Sequence, residues 1–382
     1  MTGILGHVLV ATDGSETGNR AVSFAIALAR RHGSDLLLCN AVDHATAIAE
    51  SSTSNGGFGL LMPLVGSLND AAESILSGAA KCVTDAGVTA TTTVLEGRSA
   101  QAIVKLAHER HVDAIVMGTQ GKRGLERFFM GSTADGVLRR TDVPTFVVPP
   151  GASHAKSAFD RILVAIDDSD PSDAAAHFAR DLAKAEEAHV IVCGVVATRD
   201  LAEKAATYGY DPMAMLEELR AGTSALIAAH MEQGRADNVA SESVIAEGDP
   251  AENILTTADA QRAELIVVGT HGRRGLQRLF VGSVAESVVR RSMVPVAVVR
   301  ASRRHVDDAH ESALATSATC LYLNDRHGRR RPRSYGLRTR RPNAIDGAVL
   351  IVGDEQAALW ADGDSGWPSD VGRTARRRAE VR

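Results

Sequence analysis

Two stretches of the sequence carry one glycine spacing: Gly118-x2-Gly121-x9-Gly131-Ser132 and Gly269-x2-Gly272-x9-Gly282-Ser283. Gly118 and Gly269 directly follow the apolar runs AIVM and LIVV, so the chain turns there at the carboxyl end of a strand. In doubly wound folds that edge is where ligands bind. Glycine allows positive φ and a close backbone approach to a ligand. Three residues beyond Ser132 stands Asp135, and three beyond Ser283 stands Glu286. Ser-x-x-Glu is the spacing of a capping box, and Ser-x-x-Asp is a weaker relative. A helix opening there would turn free N–H groups and the positive end of its dipole toward the glycines, an anion site suited to phosphate. Lys122, Arg123, Arg127, Arg273, Arg274 and Arg278 add positive charge, although a solvated face also explains them. The glycines could make tight turns with no ligand at all. Their recurrence with a strand, basic residues and a helix start in both places favours the phosphate reading.

Asp13 and Asp167 end the first apolar run of each half, in ATDGS and AIDDS. A carboxylate there could accept hydrogen bonds from a nucleotide or help hold a metal; it could equally cap the following helix. The small residues Ala11 and Ala165 leave room for a flat ring. Other nucleotide signatures are missing. No G-x-x-x-x-G-K-[ST] occurs, which excludes a P-loop enzyme. No G-x-G-x-x-G follows the first strand, which argues against a dehydrogenase. Cys39 and Cys193 sit in apolar runs and are expected to be small buried hydrophobes. The four cysteines form no C-x-x-C pair. His32, His108, His111 and His271 are scattered and expected to face solvent.

These residues belong to an internal repeat. Asp13, Phe24 and Cys39 map onto Asp167, Phe178 and Cys193 with an offset of 154, and the glycine motifs match with an offset of 151. The first copy is expected to hold strands over 7–12, 35–42, 88–95, 114–118 and 144–148. Helices are expected over 19–32, 68–86, 100–110 and 132–140, with a long loop over 43–67. Such alternation implies an α/β domain with a parallel sheet and helices on both faces. Domain 1 is placed at 1–150, domain 2 at 151–300, and an irregular tail at 301–382. Their linker is 149–159.

The charge is uneven. Residues 1–300 hold 27 Lys or Arg and 36 Asp or Glu, whereas 301–382 hold 15 Arg, no Lys and 11 acids. The acidic core argues against nucleic acid as its partner. The Arg-rich tail is expected to be disordered and also fits an out-of-frame extension. No apolar run approaches the ~20 residues of a membrane helix, and Met1–His7 does not look like a signal peptide. A cytoplasmic location is expected.

With these motifs the chain resembles the universal stress protein family, in both repeats. The resemblance implies two doubly wound domains, each a five-stranded parallel sheet of order 3-2-1-4-5, with one ATP at the switch between strands 1 and 4. By position, Asp13 and Asp167 would lie near adenine and ribose. Strand-end Ala41 and Val195 would contact adenine, beside Ala11, Ala165, Met117 and Val268. Gly118, Gly121, Gly131, Ser132 and Thr133 would surround ribose and phosphates in one copy. Gly269, Gly272, Gly282, Ser283 and Val284 would do so in the other. Mg2+ would bridge the phosphates. The last strands of the two copies would meet across a pseudo-twofold axis, as an intramolecular pseudo-dimer, with a homodimer also open. The family's Gly-x-Pro before the third helix is present at Gly248-Asp249-Pro250 but replaced by Gly97-Arg98-Ser99. Gly136, inside a helix, is expected to weaken it. The function implied is a nucleotide-dependent regulator of stress or dormancy. A slow ATPase or phosphotransferase, and a structural module with empty clefts, are the alternatives.

Overall fold

The computed structural model describes residues 4–44, 61–121, 130–151, 159–199, 201–209, 211–270 and 282–301. The basic residues 122–127 and 273–278, Gly272, His271 and the tail from 302 onward lie outside them. In the first repeat the elements are β1 (His7–Ala11), α1 (Glu16–His32), β2 (Asp35–Val42), α2 (Leu61–Asp85), β3 (Ala90–Glu96), α3 (Ser99–Glu109), β4 (Ala114–Gly118), α4 (Ser132–Leu138) and β5 (Thr145–Val148). The second repeat holds β6 (Arg161–Ile166), α5 (Asp170–Glu186), β7 (His189–Val196), α6 (Leu201–Tyr208), α7 (Pro212–Ala236), β8 (Ser241–Glu247), α8 (Pro250–Ala260), β9 (Leu265–Gly269), α9 (Ser283–Arg291) and β10 (Val296–Val299). No described helix is long and apolar enough to cross a membrane.

The strands form one ten-stranded sheet of order β3-β2-β1-β4-β5-β10-β9-β6-β7-β8. Within each repeat the order is the expected 3-2-1-4-5, and the pairing is parallel. Strands β1, β2 and β4 alternate their side chains between two apolar layers. Val8, Val10, Leu36, Leu38 and Val116 meet α1 and α2, while Leu9, Cys39, Ile115 and Met117 meet α3 and α4. Burial of the two thiols follows: desolvation pushes Cys39 up to about 12 and Cys193 to about 11.

Several local features differ from the sequence expectation. Helix α1 begins at Glu16 rather than 19, because the Ser15 side chain accepts from Gly18 N–H and caps it. Helix α2 begins at Leu61, inside the stretch expected as loop. The capping boxes at Ser132 and Ser283 do not form. The first of these helices starts at Ser132 as expected, but Gly131 and Gly282 are the N-caps, so both serines are the first helical residue. Asp135 and Glu286 instead pair with Arg139 and Arg290, one turn along. Gly136 has a packing reason: a Cβ there would lie 2.6 Å from Ala100 Cβ, so glycine lets α3 and α4 touch. The departure at Arg98 does matter locally. Asp249 caps α8 through Glu252 N–H, and Pro250 opens that helix, whereas Arg98 supplies no side-chain cap to α3. Such a cap contributes about 1 kcal/mol.

The repeats join edge to edge. β5 and β10 pair antiparallel, with Thr145 opposite Val298, Phe146 opposite Ala297 and Val147 opposite Val296. All residues of both strands are buried. An exposed apolar edge is a template for wrong pairing; here each edge covers the other. Both apolar layers run through the junction: one holds Phe24, Phe146, Phe178 and Ala297 together, the other Val147 and Val296. Opposed Cα atoms in an antiparallel pair stand about 4.5–5.5 Å apart, within disulfide range. The variant Thr145→Cys/Val298→Cys should therefore oxidise to an intrachain disulfide, visible as faster migration without reducing agent. Failure to close under oxidising conditions would contradict the pairing.

Candidate functional site

The candidate site lies where the chain leaves β1 and β4 in opposite directions. β1 continues toward β2 on one side, and β4 toward β5 on the other, so the loops after them diverge above the carboxyl edge. In parallel sheets a crevice forms at such a switch. In the first repeat those loops are Thr12–Ser15 and the stretch from Thr119 onward. The first turn of α1 is tied to the second of these loops, because the Thr17 hydroxyl donates to the Gln120 carbonyl.

The glycines divide into two kinds. None of Gly118, Gly121, Gly131 or Gly269 has the positive φ anticipated from sequence; the left-handed positions lie in the β1 and β6 loops, at Gly14 (φ 72°) and its counterpart Asp168 (φ 64°). Gly118 is required by packing. A Cβ on it would lie 2.8 Å from Thr17 Cβ and 2.9 Å from the Thr17 carbonyl carbon. Gly269 repeats this against Pro171, at 2.6 Å from its carbonyl carbon. These glycines let the first helix of each repeat cross the end of the fourth strand. Gly121 faces Asp13, whose Oδ2 would stand 2.7 Å from an added Cβ. Gly131 differs: its backbone (φ −62°, ψ 149°) suits any residue, and among the described residues a Cβ would meet nothing closer than the Thr119 carbonyl oxygen at 3.4 Å. Packing among the described residues does not explain Gly131. Its N–H is already given to Thr119 O at 2.8 Å, and Gly282 repeats that bond with Thr270 O. Any anion would therefore meet the N–H groups that follow, at Ser132 and Thr133 or at Ser283 and Val284. As N-caps, Gly131 and Gly282 supply no side-chain cap to those helix ends.

Asp13 neither caps α1 nor stands apart from it. Its Oδ1 accepts from Ser15 N–H at 3.0 Å, which holds Ser15 in place to cap the helix. In the second repeat Asp167 Oδ1 accepts from the Ser169 hydroxyl at 2.6 Å, and Ser169 caps α5. Both aspartates thus shape the loop while remaining partly or wholly exposed at the crevice. The expected base-side residues come together. Ala11 stands opposite both Cys39 and Met117, and Ala41 lies two residues along β2. Ala165 stands opposite Cys193, with Val195 beyond it on β7 and Val268 on β9. All these residues lie on the α3 and α8 face of the sheet by strand alternation. Gly272 lies outside the described residues.

Some residues escaped the sequence reading. Asn40 is buried, and its Nδ2 donates to Thr12 O at 2.8 Å, bracing the ends of β1 and β2. A lone amide in LLLCNAV was the available signal. Its counterpart is Gly194. The Ser172 hydroxyl accepts from Asp167 N–H at 2.9 Å, where the first repeat has Gly18. His32 is not solvent-facing: its side chain is only 3% exposed and lies against Glu186 of the second repeat.

Comparison with known proteins follows the same outline. The profile of the universal stress protein family matches residues 5–149 and again 158–300. The chain belongs to the universal stress protein family. A universal stress protein of Methanocaldococcus jannaschii is 32% identical over 141 residues, covering 37% of this chain and 80% of that protein. Among solved structures, a universal stress protein from Archaeoglobus fulgidus covers 80% of this chain and 100% of its own at 22% identity, with a TM-score of 0.57. A functionally unknown protein from Pseudomonas aeruginosa covers 82% and 98% at 19% identity and a TM-score of 0.51. Those two likenesses are of fold. This family assignment agrees with the repeat, the strand order and the glycine spacing.

The two kinds of glycine should separate in stability. Gly118→Ala should cost about 1–3 kcal/mol, as overpacking does, while Gly131→Ser, which adds a capping residue at an open position, should stay within about 0.5 kcal/mol of the parent. Urea unfolding would measure both. Equal losses would refute the division.

Proposed function

We propose that each repeat of this universal stress protein binds one ATP in the crevice between the β1 and β4 loops, or the β6 and β9 loops, and that occupancy changes its contacts with partners. The observation that carries the reading is Gly131: an N-cap glycine that neither its φ nor packing among the described residues requires, at the start of a helix to which it supplies no side-chain cap. Gly282 stands at the same point of the second repeat, with φ −59° and ψ 147°. A phosphate approaching those N–H groups needs the space a side chain would fill. The strand-end residues Ala11, Ala41 and Met117 offer the base a flat, largely apolar flank at a distance from the phosphate end.

No group of three potential ligands for a metal occurs among the described residues. Mg2+ would then be held mainly by nucleotide phosphates and water, the usual manner for this ion. A regulator is favoured over an ATPase or phosphotransferase, because Asp13 and Asp167, the carboxylates at the crevices, are engaged in holding their own loops. The strand pairing at β5 and β10 supports an intramolecular counterpart of a family dimer.

Calorimetric titration with ATP tests the site. The parent should bind two ATP per chain, Gly131→Val or Gly282→Val one, and the double variant none, with circular dichroism confirming that each is folded. A folded double variant that binds ATP as tightly as the parent would place the nucleotide elsewhere or nowhere.

A further inference from the structure

The junction between the repeats is nearly twofold, and its register locates the axis. Phe146 and Ala297 are equivalent by the offset of 151, and they stand opposite each other in the β5–β10 ladder. Thr145 faces the residue equivalent to Val147, and Val147 faces the residue equivalent to Thr145. The axis therefore passes through the Phe146–Ala297 pair. On a true twofold this pair would be two identical side chains. Here one is large and one is small, both fully buried. The Phe146 ring lies 5.5 Å from Phe24 and 5.9 Å from Phe178, which are themselves equivalent by the offset of 154. One aromatic ring on the axis thus serves both halves.

A second pair of equivalent positions meets nearby. His32 and Glu186 end α1 and α5 and are related by the same offset of 154. His32 Nε2 lies 2.7 Å from Glu186 Oε1, with side chains 3% and 1% exposed. Arg31 adds Nε at 3.0 Å from Glu186 Oε2 and donates to the Glu186 carbonyl at 2.9 Å; its own equivalent is Ala185. The ion contacts are close but poorly angled for hydrogen bonds. A third asymmetry lies at Arg300, which donates to the Leu138 and Arg139 carbonyls at the end of α4. The residue equivalent to Arg300 is Pro149.

We propose that these pairs form a pairing code: the surface of repeat 1 around β5 and α1 accepts repeat 2 of its own chain and rejects a second copy of itself. The inference rests on the edge-to-edge reading of the junction. Pairing repeat 1 with repeat 1 would put two Phe146 rings on the axis and His32 against His32. Pairing repeat 2 with repeat 2 would put two Ala297 methyls there, leaving a void, and set Glu186 against Glu186 out of water. Overpacked and cavity-bearing cores are both disfavoured, and like charges buried together are disfavoured strongly. A buried ion pair adds little to net stability over apolar residues, but its loss on wrong pairing discriminates between partners. The short linker then makes the partner in the same chain the one encountered first.

Exchange across the axis tests the code in the full chain. Ala297→Phe and Phe146→Ala should each lower the first thermal midpoint by at least about 4 °C. The exchange variant Phe146→Ala/Ala297→Phe should return to within about 2 °C of the parent. His32→Glu should likewise lower it, and the mirror variant Arg31→Ala/His32→Glu/Ala185→Arg/Glu186→His should recover it. Where Ala297→Phe does not fold, the exchange variant decides alone: folded near the parent midpoint, it supports the code; unfolded, it overturns it. Single variants as stable as the parent, or exchanges no better than the singles, overturn it too. Failure of the junction itself would show separately, as absence of the engineered disulfide from the otherwise unaltered Thr145→Cys/Val298→Cys protein.

Discussion

The architecture depends on the antiparallel pairing of β5 with β10. Each is a four-residue strand with every side chain buried, and neither could stand as an open edge in water. Pairing them satisfies the edge of both repeats at once and makes two five-stranded sheets into one. Because the strands run parallel within each repeat and antiparallel at the junction, the carboxyl ends of the two halves point to opposite edges of the sheet. The two candidate crevices therefore open away from each other, joined by two apolar layers that run through the junction. The same geometry brings equivalent residues face to face at the axis, where the two copies have diverged in size and charge.

The crevices share a plan but not a chemistry. The first has Thr17, Gly18 and Asn40 where the second has Pro171, Ser172 and Gly194. In the first, the Thr17 hydroxyl ties the start of α1 to the β4 loop and Asn40 braces the strand ends. In the second, the Ser172 hydroxyl takes over part of that bracing by accepting from Asp167 N–H, and Asp168 holds the left-handed turn that Gly14 makes in the first. Asp tolerates that conformation better than most residues. Packing keeps Gly118 and Gly269 identical in both copies, while the loops around them vary.

Much of this was legible in the sequence. The repeat and the β2 and β4 strands, residue for residue, follow from period and spacing, whereas the strand pairing at the junction and the gathering of Ala11, Ala41 and Met117 were implied by the family resemblance. What was not legible has physical causes. Ser-x-x-Asp and Ser-x-x-Glu look like capping boxes, but a glycine one residue earlier can begin the helix just as well, leaving the acids to pair with Arg139 and Arg290. The glycine motif does not say which glycine packs tightly against the described residues; the distance from Gly118 to Thr17 separates it from Gly131. His32 sits at the polar end of an amphipathic helix and carries no local sign that a second repeat will cover it. Gly136 looks like a weak point until Ala100 is seen against it. Each of these depends on contacts far apart in the chain.

The central claim is that the nucleotide lies over the N-cap glycines at the strand switch. Amide hydrogen exchange with and without saturating ATP addresses that location directly. Slower exchange in peptides covering Ala11–Ser15, Gly118–Gly121 and Gly131–Thr133, matched by those covering Ala165–Ser169 and Gly282–Val284, is the result the account predicts. Unchanged exchange in all of these segments at saturating ATP would contradict it.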